Sequence, residues 1–290
     1  MNKENYKLVC NIINSSNEFS CDNTYPNLLI WYPDYNVIDG QIIVKTNIDG
    51  INIYRLPIGG DIETGIDYIK KCENCKYPIF WNSEGGRLEE FREKYGDNYT
   101  FIEDRDTFDY VYSRENLVNL FGQKYHSKRN HISSFNKKYD WHFEPLSDNN
   151  INNIRECANK WYASKEYTEN STLAIEKNGI NLLLDNYKEL NIKGGCIVVD
   201  RNVVAFSLGS EINSQTFDVC IEKALPAYAE SYSVINREFA KTLDYKYINR
   251  EDDMGIEGLR KAKMSYHPDF FVKKYYCYPK QQNDFKDYYR

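Results

Sequence analysis

Two apolar-rich runs, 41–46 and 51–56, flank Asn47-Ile48-Asp49-Gly50. They predict a β-hairpin, because Asp-Gly supplies the positive-φ residues that a tight turn needs. The pattern then predicts a helix near 61–71, a strand at 77–81, a helix over 84–95 and an alternating strand at 107–112. Ile132, Phe135 and Tyr139 form an apolar stripe, with Ser127 placed to cap a helix over 127–138. The second half is more legible. A short strand at 141–145 precedes Ser147 as an N-cap, after which Ile151, Ile154, Ala158, Trp161 and Tyr162 recur at helical spacing. A second helix carries Ile180, Leu183, Leu184 and Tyr187 on one face. Strands at 196–200 and 203–208 form a hairpin about Arg201-Asn202, followed by a strand at 216–222. Tyr228, Tyr232, Ile235, Phe239 and Leu243 mark a long amphipathic helix. A strand at 245–249, a short helix around 256–264 and a terminal strand at 270–278 complete the series.

From residue 141 the predicted order is β-α-α-β-β-β-α-β-α-β. This resembles the Gcn5-related N-acetyltransferase fold, whose mixed sheet splays open after its fourth strand. The expected fold class is therefore α/β with mixed sheets, arranged as two tandem acetyltransferase-like domains. The N-terminal one covers 1–140, where a comparable hairpin and flanking helices occur, and the C-terminal one covers 141–290. The helix at 127–138 connects them.

Composition narrows the function classes. Of 290 residues, 41% are hydrophobic and 15% aromatic, which provides for a substantial core and argues against general disorder. Lys+Arg 37 against Asp+Glu 43 gives −6, too acidic for a protein that simply coats nucleic acid. Any polyanion site must be a local patch. The apolar run 28–32 is far short of the roughly 18 residues a membrane helix needs. Residues 1–20 lack the apolar core of a secretory signal. A cytoplasmic protein is expected, and the scattered cysteines fit that compartment. Only Cys72-Glu73-Asn74-Cys75 has suggestive spacing, but no second pair completes a zinc site, so two unpaired thiols near a helix end and no metal are expected. Glycine-rich dinucleotide, phosphate-loop and serine-hydrolase motifs are absent.

Two segments carry unusual chemistry. Residues 123–138 hold Lys124, Lys128, Arg129, Lys137 and Lys138 and no acid. Lys128 and Arg129 fall in the first turn of the predicted helix, where the helix dipole opposes cations by roughly a few tenths of a kcal/mol. An anion site built from helix-start N–H groups, Lys128, Arg129 and His126 explains that placement; so does a solvated basic face. In the second segment, 249–268, acids precede bases across a short helix, which suits its dipole and is in itself a stability explanation. Pro268 should end that helix by about Ser265.

The run 124–131 (Lys-Tyr-His-Ser-Lys-Arg-Asn-His), the run Glu222-Lys223-Ala224, and Asn249-Arg250-Glu251-Asp252 leading to Gly258-Leu259-Arg260-Lys261-Ala262-Lys263 and Tyr266-His267-Pro268 resemble one pattern. It is that of an uncharacterised bacterial family grouped with the C-terminal domain of phosphatidylglycerol lysyltransferases. The resemblance spans 120–275. It implies tandem acetyltransferase-like domains akin to the peptidoglycan-bridge aminoacyltransferases that use aminoacyl-tRNA. An acyltransferase moving an aminoacyl or acyl group to a small amine or hydroxyl acceptor is the reading that follows. On that reading Glu222, at the end of the fourth strand, is the candidate base and Glu251 the second choice; alternatively, Lys223 pairs with Glu222 and both are structural. Lys124, His126, Lys128, Arg129, His131, Lys223, Arg250, Arg260 and Lys263 are the candidates for binding an anionic donor, aminoacyl-tRNA or acyl-coenzyme A. The chain shows no counterpart of the membrane-spanning region of full phosphatidylglycerol lysyltransferases, so a lipid acceptor is not expected. Acetyltransferases bind the coenzyme A pyrophosphate at a glycine-rich turn after the fourth strand. Here the turn is Lys223-Ala224-Leu225-Pro226-Ala227, without glycine. Two alternatives stay open: a non-catalytic member of the fold that binds a small anionic metabolite, and a coenzyme A-dependent N-acetyltransferase.

Overall fold

Local signals place most of the elements. Helices α1 (Lys3–Ser16) and α2 (Tyr25–Trp31) open the chain, within a computed structural model that describes residues 3–16, 18–169 and 171–280. Strands β1 (Asn36–Ile38) and β2 (Gln41–Ile43) pair with each other. The predicted hairpin is β3 (Lys45–Ile48) and β4 (Ile51–Arg55), and both turn residues, Asp49 and Gly50, have positive φ. There follow α3 (Ile62–Glu73), capped by Asp61, β5 (Ile79–Ser83), α4 (Gly86–Tyr95) and β6 (Tyr99–Glu103). Next come β7 (Asp109–Ser113), α5 (Arg114–Asn119) and α6 (His126–Lys138).

The second half contains β8 (Trp141–Pro145), α7 (Ile151–Ala163), α8 (Thr172–Asp185), β9 (Lys193–Val199), β10 (Asn202–Asn213) and β11 (Thr216–Ala224). It closes with α9 (Ser231–Thr242), β12 (Tyr247–Asn249), α10 (Glu257–Met264), β13 (Phe270–Val272) and β14 (Lys274–Pro279). Several local expectations shift. Ser127 lies inside α6 rather than capping it, and Asn150, not Ser147, stands at the start of α7. The second hairpin turns at Asp200 and Arg201, both at positive φ. Among the described residues no helix is long and apolar enough to cross a membrane.

Two mixed sheets result. The larger has the order β13-β7-β12-β11-β10-β9-β8 and the smaller β3-β4-β5-β14-β6. One face of the large sheet packs on α1, α2, α7 and α8 through Leu28, Ile154, Ile180, Leu183 and Phe206. The other packs on α5, α6 and α9 through Leu117, Phe135, Val234 and Phe239. The small sheet buries one face against α3 and α4 through Ile66, Ile69, Leu88 and Phe91.

Sheet membership crosses the boundary expected near residue 140 in both directions. Strand β7 joins the large sheet, between β12 and β13, while β14 inserts between β5 and β6. The terminal strand predicted as one piece is thus two, divided between the sheets at Lys273. Hydrogen bonds from Glu84 and Asp104 N–H groups to the carbonyls of Lys273 and Lys274 hold the crossing in place.

A buried ion cluster locks this exchange. Lys274 is 1% exposed, and its Nζ lies 2.6 Å from Asp22 and 2.7 Å from Asp109. Asp109 is completed by the Cys21 N–H (2.8 Å) and the Asn249 amide (2.9 Å). Burial alone would raise the Asp22 carboxyl, but Lys274 and Arg55 more than reverse this and hold it below its usual value. Cys21, Asp22 and Asp109 bring metal-ligand atoms within 4.8 Å of one another, and the Lys274 ammonium supplies the positive charge among them.

Removing one member of a buried ion cluster strands the others. Lys274→Met should therefore destabilise the protein by about 3–5 kcal/mol in urea unfolding, whereas Lys261→Met, in an exposed pair with Glu257, should leave the midpoint unchanged. The contribution of Asp22 is present above its unfolded pKa and is lost as pH falls through the depressed native value. Acid titration of the two proteins should show this as a low-pH transition that is weakened in the variant.

Candidate functional site

Strands β11 and β12 run parallel but pair over three residues only, ending at Asp218 opposite Asn249. Beyond that point β11 continues to Ala224 paired with β10 alone. The chain after Asn249 follows β7 instead: Arg250 N–H donates to the Tyr110 carbonyl, and the Tyr110 N–H donates to that of Glu251. The large sheet therefore parts after its fourth strand counted from β8.

A bulge decides which side chains enter the opening. Leu208 pairs with Ile221 and Ser210 with Asp218, so three steps on β11 oppose two on β10. Gly209 makes this possible, since a Cβ there would lie 1.9 Å from the Asp218 carbonyl. Cys220 and Ile221 consequently join the same core. Asp218 and Glu222, four residues apart, turn to opposite faces, the first toward Asn27 of α2 and the second toward Asn236 of α9.

On the α6/α9 side, Arg250 Nη2 donates to Glu222 Oε1 at 2.6 Å, with the side chains 12% and 11% exposed. Glu222 Oε2 also accepts from Asn236 Nδ2 (3.3 Å) and Ser207 Oγ (3.4 Å). The guanidinium lies over the rings of Tyr266 (4.9 Å) and Tyr112 (5.7 Å), and its Nη1 is buried without a hydrogen-bond partner. Lys128 places its Nζ 4.0 Å from the Tyr266 ring centroid. Burial, and then the charge of Arg250, push this ammonium down to about 8, while Glu222 opposes the shift. Ser233 Oγ stands 3.4 Å from both His131 Nδ1 and the Tyr266 hydroxyl. The two cationic stretches, distant in sequence, thus meet at Tyr266.

Other predicted residues are engaged elsewhere. Arg129 caps the carbonyls of Leu120 and Gly122, which answers the unfavourable helix dipole without an anion. Lys223 pairs with Glu176 (2.8 Å) over the Trp161 ring rather than with Glu222. Arg260 pairs with Asp253 and Asp106, and Lys263 donates to the carbonyls of Arg250 and Asp252. The polar heads of all four have partners within the fold. Lys124 and His126 are exposed at the start of α6, where the Lys124 carbonyl meets His267 Nε2 at 3.2 Å.

Glu251 departs in the other direction. Its φ of 58° turns the chain so that its carboxylate accepts from Asn27 Nδ2 at 2.9 Å. It lines a cavity of about 330 Å³ together with Asp252, Trp31, Tyr32, Arg55 and Trp81. Of all the predicted site residues, Glu251 is the one that reaches this cavity. Burial pushes Glu251 up to about 8 and Asp252 to about 6, and raises Asp218 behind them. Asp218, Asp109 and Asn27 were not among the predicted site residues. A lone aspartate inside the apolar strands Thr-Phe-Asp-Val-Cys-Ile and Phe-Asp-Tyr-Val-Tyr was the available signal.

Three positions of the turn after β11 have no free backbone donor. The Leu225 and Tyr228 N–H groups are bonded to the Val204 and Leu225 carbonyls, and Pro226 has none.

Comparison with known proteins is consistent with this geometry. The family model described as phosphatidylglycerol lysyltransferase, C-terminal, matches residues 16–278. A conserved protein of unknown function from Bacteroides thetaiotaomicron is 30% identical, with TM-score 0.87 over 97% of this chain and 98% of that one. The C-terminal domain of a putative lysylphosphatidylglycerol synthetase from Agrobacterium fabrum is similar in fold, at 12% identity and TM-score 0.65 over 94% of this chain and 91% of that one. FemX also shares the fold, at 8% identity and TM-score 0.59 over 96% of each chain.

The depressed Lys128 ammonium gives a direct test. With its native value near 8 and its unfolded value near 10.4, stability should rise as pH passes from about 8 to about 10. The methyl resonances of reductively methylated protein should show one lysine titrating near 8, lost in Lys128→Met. Inorganic pyrophosphate should move that midpoint upward, because an anion beside the amine favours its charged form.

Proposed function

The chain belongs to the phosphatidylglycerol lysyltransferase C-terminal family, and on that premise we propose that it transfers an aminoacyl group from aminoacyl-tRNA to a small amine or hydroxyl acceptor. The observation that carries this reading is the Arg250–Glu222 pair across the parted strands, with Lys128 beside it and one guanidinium nitrogen unpartnered. Lys128 and Arg250 hold phosphate oxygens of the donor's 3′ end, where partial burial strengthens each charge-assisted hydrogen bond. Lys124, His126 and His131 extend the basic rim along α6. Glu222 is a positioning residue, because its oxygens already hold Arg250, Asn236 and Ser207.

Transfer replaces the ester C–O bond of the donor with a bond from the acceptor to the same carbonyl carbon. The acceptor loses a proton and the ribose hydroxyl gains one. Glu251, held near 8 by burial, is suited to carry that proton in either direction around neutral pH. The edge of β11 beyond Asp218 lacks a strand partner, and its backbone N–H groups orient the carbonyl. This ordering puts Glu251 ahead of Glu222 as the proton-handling group. The bonded turn amides favour a nucleic-acid donor over coenzyme A.

Total bacterial tRNA charged with radiolabelled amino acids, incubated with the protein and ethanolamine, tests the proposal. Label should move from tRNA to ethanolamine, and tRNA binding should weaken steeply with salt as counterions are released. Arg250→Lys should slow transfer by about tenfold or more, because a point charge cannot replace a planar fork. Glu251→Gln should abolish transfer while tRNA binding persists. Charged tRNA that neither binds at low salt nor loses its label overturns the proposal.

A further inference from the structure

The cavity on the α2 side of β12 is short of positive charge. Asp22 and Asp109 are matched by Lys274, Lys263 is turned to two backbone carbonyls, and Arg55 donates to the Asp22 carbonyl and Asn23 Oδ1. Asp218, Glu251 and Asp252 are left without an ion-pair partner within 4.0 Å among the described residues. Around Asn27 hydrogen-bond donors are short as well, whereas Arg55 Nε and Trp81 Nε1, on two other lining residues, are buried without a partner. The two protons of Asn27 Nδ2 face three acceptors: the Cys21 carbonyl, Asp218 Oδ2 and Glu251 Oε1. Asp218 Oδ1 and Asn27 Oδ1 are buried with no partner, in residues 0% and 2% exposed. Asn27 itself lines the cavity. Trp31, Tyr32, Tyr54, Trp81, Ile48 and Ile53 form the aromatic and aliphatic part of the wall, beside Arg55 and the threonines Thr46, Thr107 and Thr172.

We propose that this cavity binds the primary ammonium end of a small alkylamine, with Glu251, Asp252 and the Asn27–Asp218 pair around the ammonium and the aromatic walls around its alkyl chain. An ammonium brings three N–H donors, and its charge matches the acids that have no ion-pair partner within 4.0 Å among the described residues. Trp and Tyr faces add cation–π attraction, and the apolar lining removes the methylenes from water. The binding claim stands without any transfer reaction. A role for the same amine as acceptor rests on the function proposed above. Ligand charge and acid ionisation are coupled: burial pushes both carboxyls up, with Glu251, Asp109 and Asp22 adding to the rise of Asp218 against Lys274, and Asp252 and Asp109 adding to that of Glu251 against Lys263 and the Asn27 hydrogen bond. An entering cation should therefore release protons.

Calorimetry of the full chain with 1-aminopentane, and with 1-pentanol as its neutral counterpart, tests the proposal. The amine should bind with heats that change with buffer ionisation enthalpy at pH 7, reporting proton release, and the alcohol should not bind measurably. Asp218→Asn should weaken amine binding by about tenfold or more while tRNA binding is retained. Proton release by the wild-type protein keeps the test decisive where that variant fails to fold. Equal binding of amine and alcohol, or amine binding without proton release, overturns the proposal. Loss of transfer activity with intact amine binding would instead count against the aminoacyl-tRNA reading and leave this one standing.

Discussion

The position of Lys274 constrains everything else in this molecule. Its ammonium is surrounded by Asp22 from the segment before α2 and Asp109 from β7, so one buried charge joins an N-terminal loop, the large sheet and the small sheet. Such a cluster is costly to desolvate and is retained only with good geometry and further hydrogen bonds. Here the Cys21 N–H and Asn249 amide complete Asp109. That arrangement fixes where the chain leaves β13 of the large sheet for β14 of the small one, and hence where the cavity wall formed by β4 and β5 faces the 249–254 segment.

From that anchor the site acquires two chemically opposite sides within consecutive residues. Asn249 binds Asp109, Arg250 binds Glu222, and Glu251 binds Asn27. Strand alternation sends neighbours to opposite faces, and the left-handed backbone at Glu251 extends the separation past the end of β12. Cations collect against α6 and α9, and acids collect against α2. The backbone between them is buttressed from below by Lys263, whose ammonium is buried against the Arg250 and Asp252 carbonyls. The proposed transfer requires a polyanionic donor and an acceptor to be held without either neutralising the other's site, a requirement that a parted strand with unlike faces would meet.

Cations of the two sequence stretches meet different surroundings in the fold. Arg129 and Arg260 stand in cationic stretches, yet each satisfies carbonyls or acids of its own neighbourhood. Lys128 and Arg250 differ from them in burial and in their shared contact with Tyr266. What separates the two groups is how complete their internal set of partners is, which net charge cannot report.

Periodicity determined much of the architecture. The β3–β4 turn, the strand at 141–145, the helix over 151–163 and the end of α10 before Pro268 follow from Asp-Gly chemistry, alternation, the 3.6-residue repeat and proline sterics, which act within a few residues. The order of elements after residue 141 carried the expectation of a sheet that opens after its fourth strand, and β11 and β12 do part there. Only tertiary structure decided that β7 and β14 exchange sheets, that a bulge opposite Gly209 divides Asp218 from Glu222, and that Glu222 pairs with Arg250 rather than Lys223. The reason is physical: which charges meet depends on contacts between segments up to about 250 residues apart and on the desolvation that those contacts impose, neither of which is encoded in local spacing.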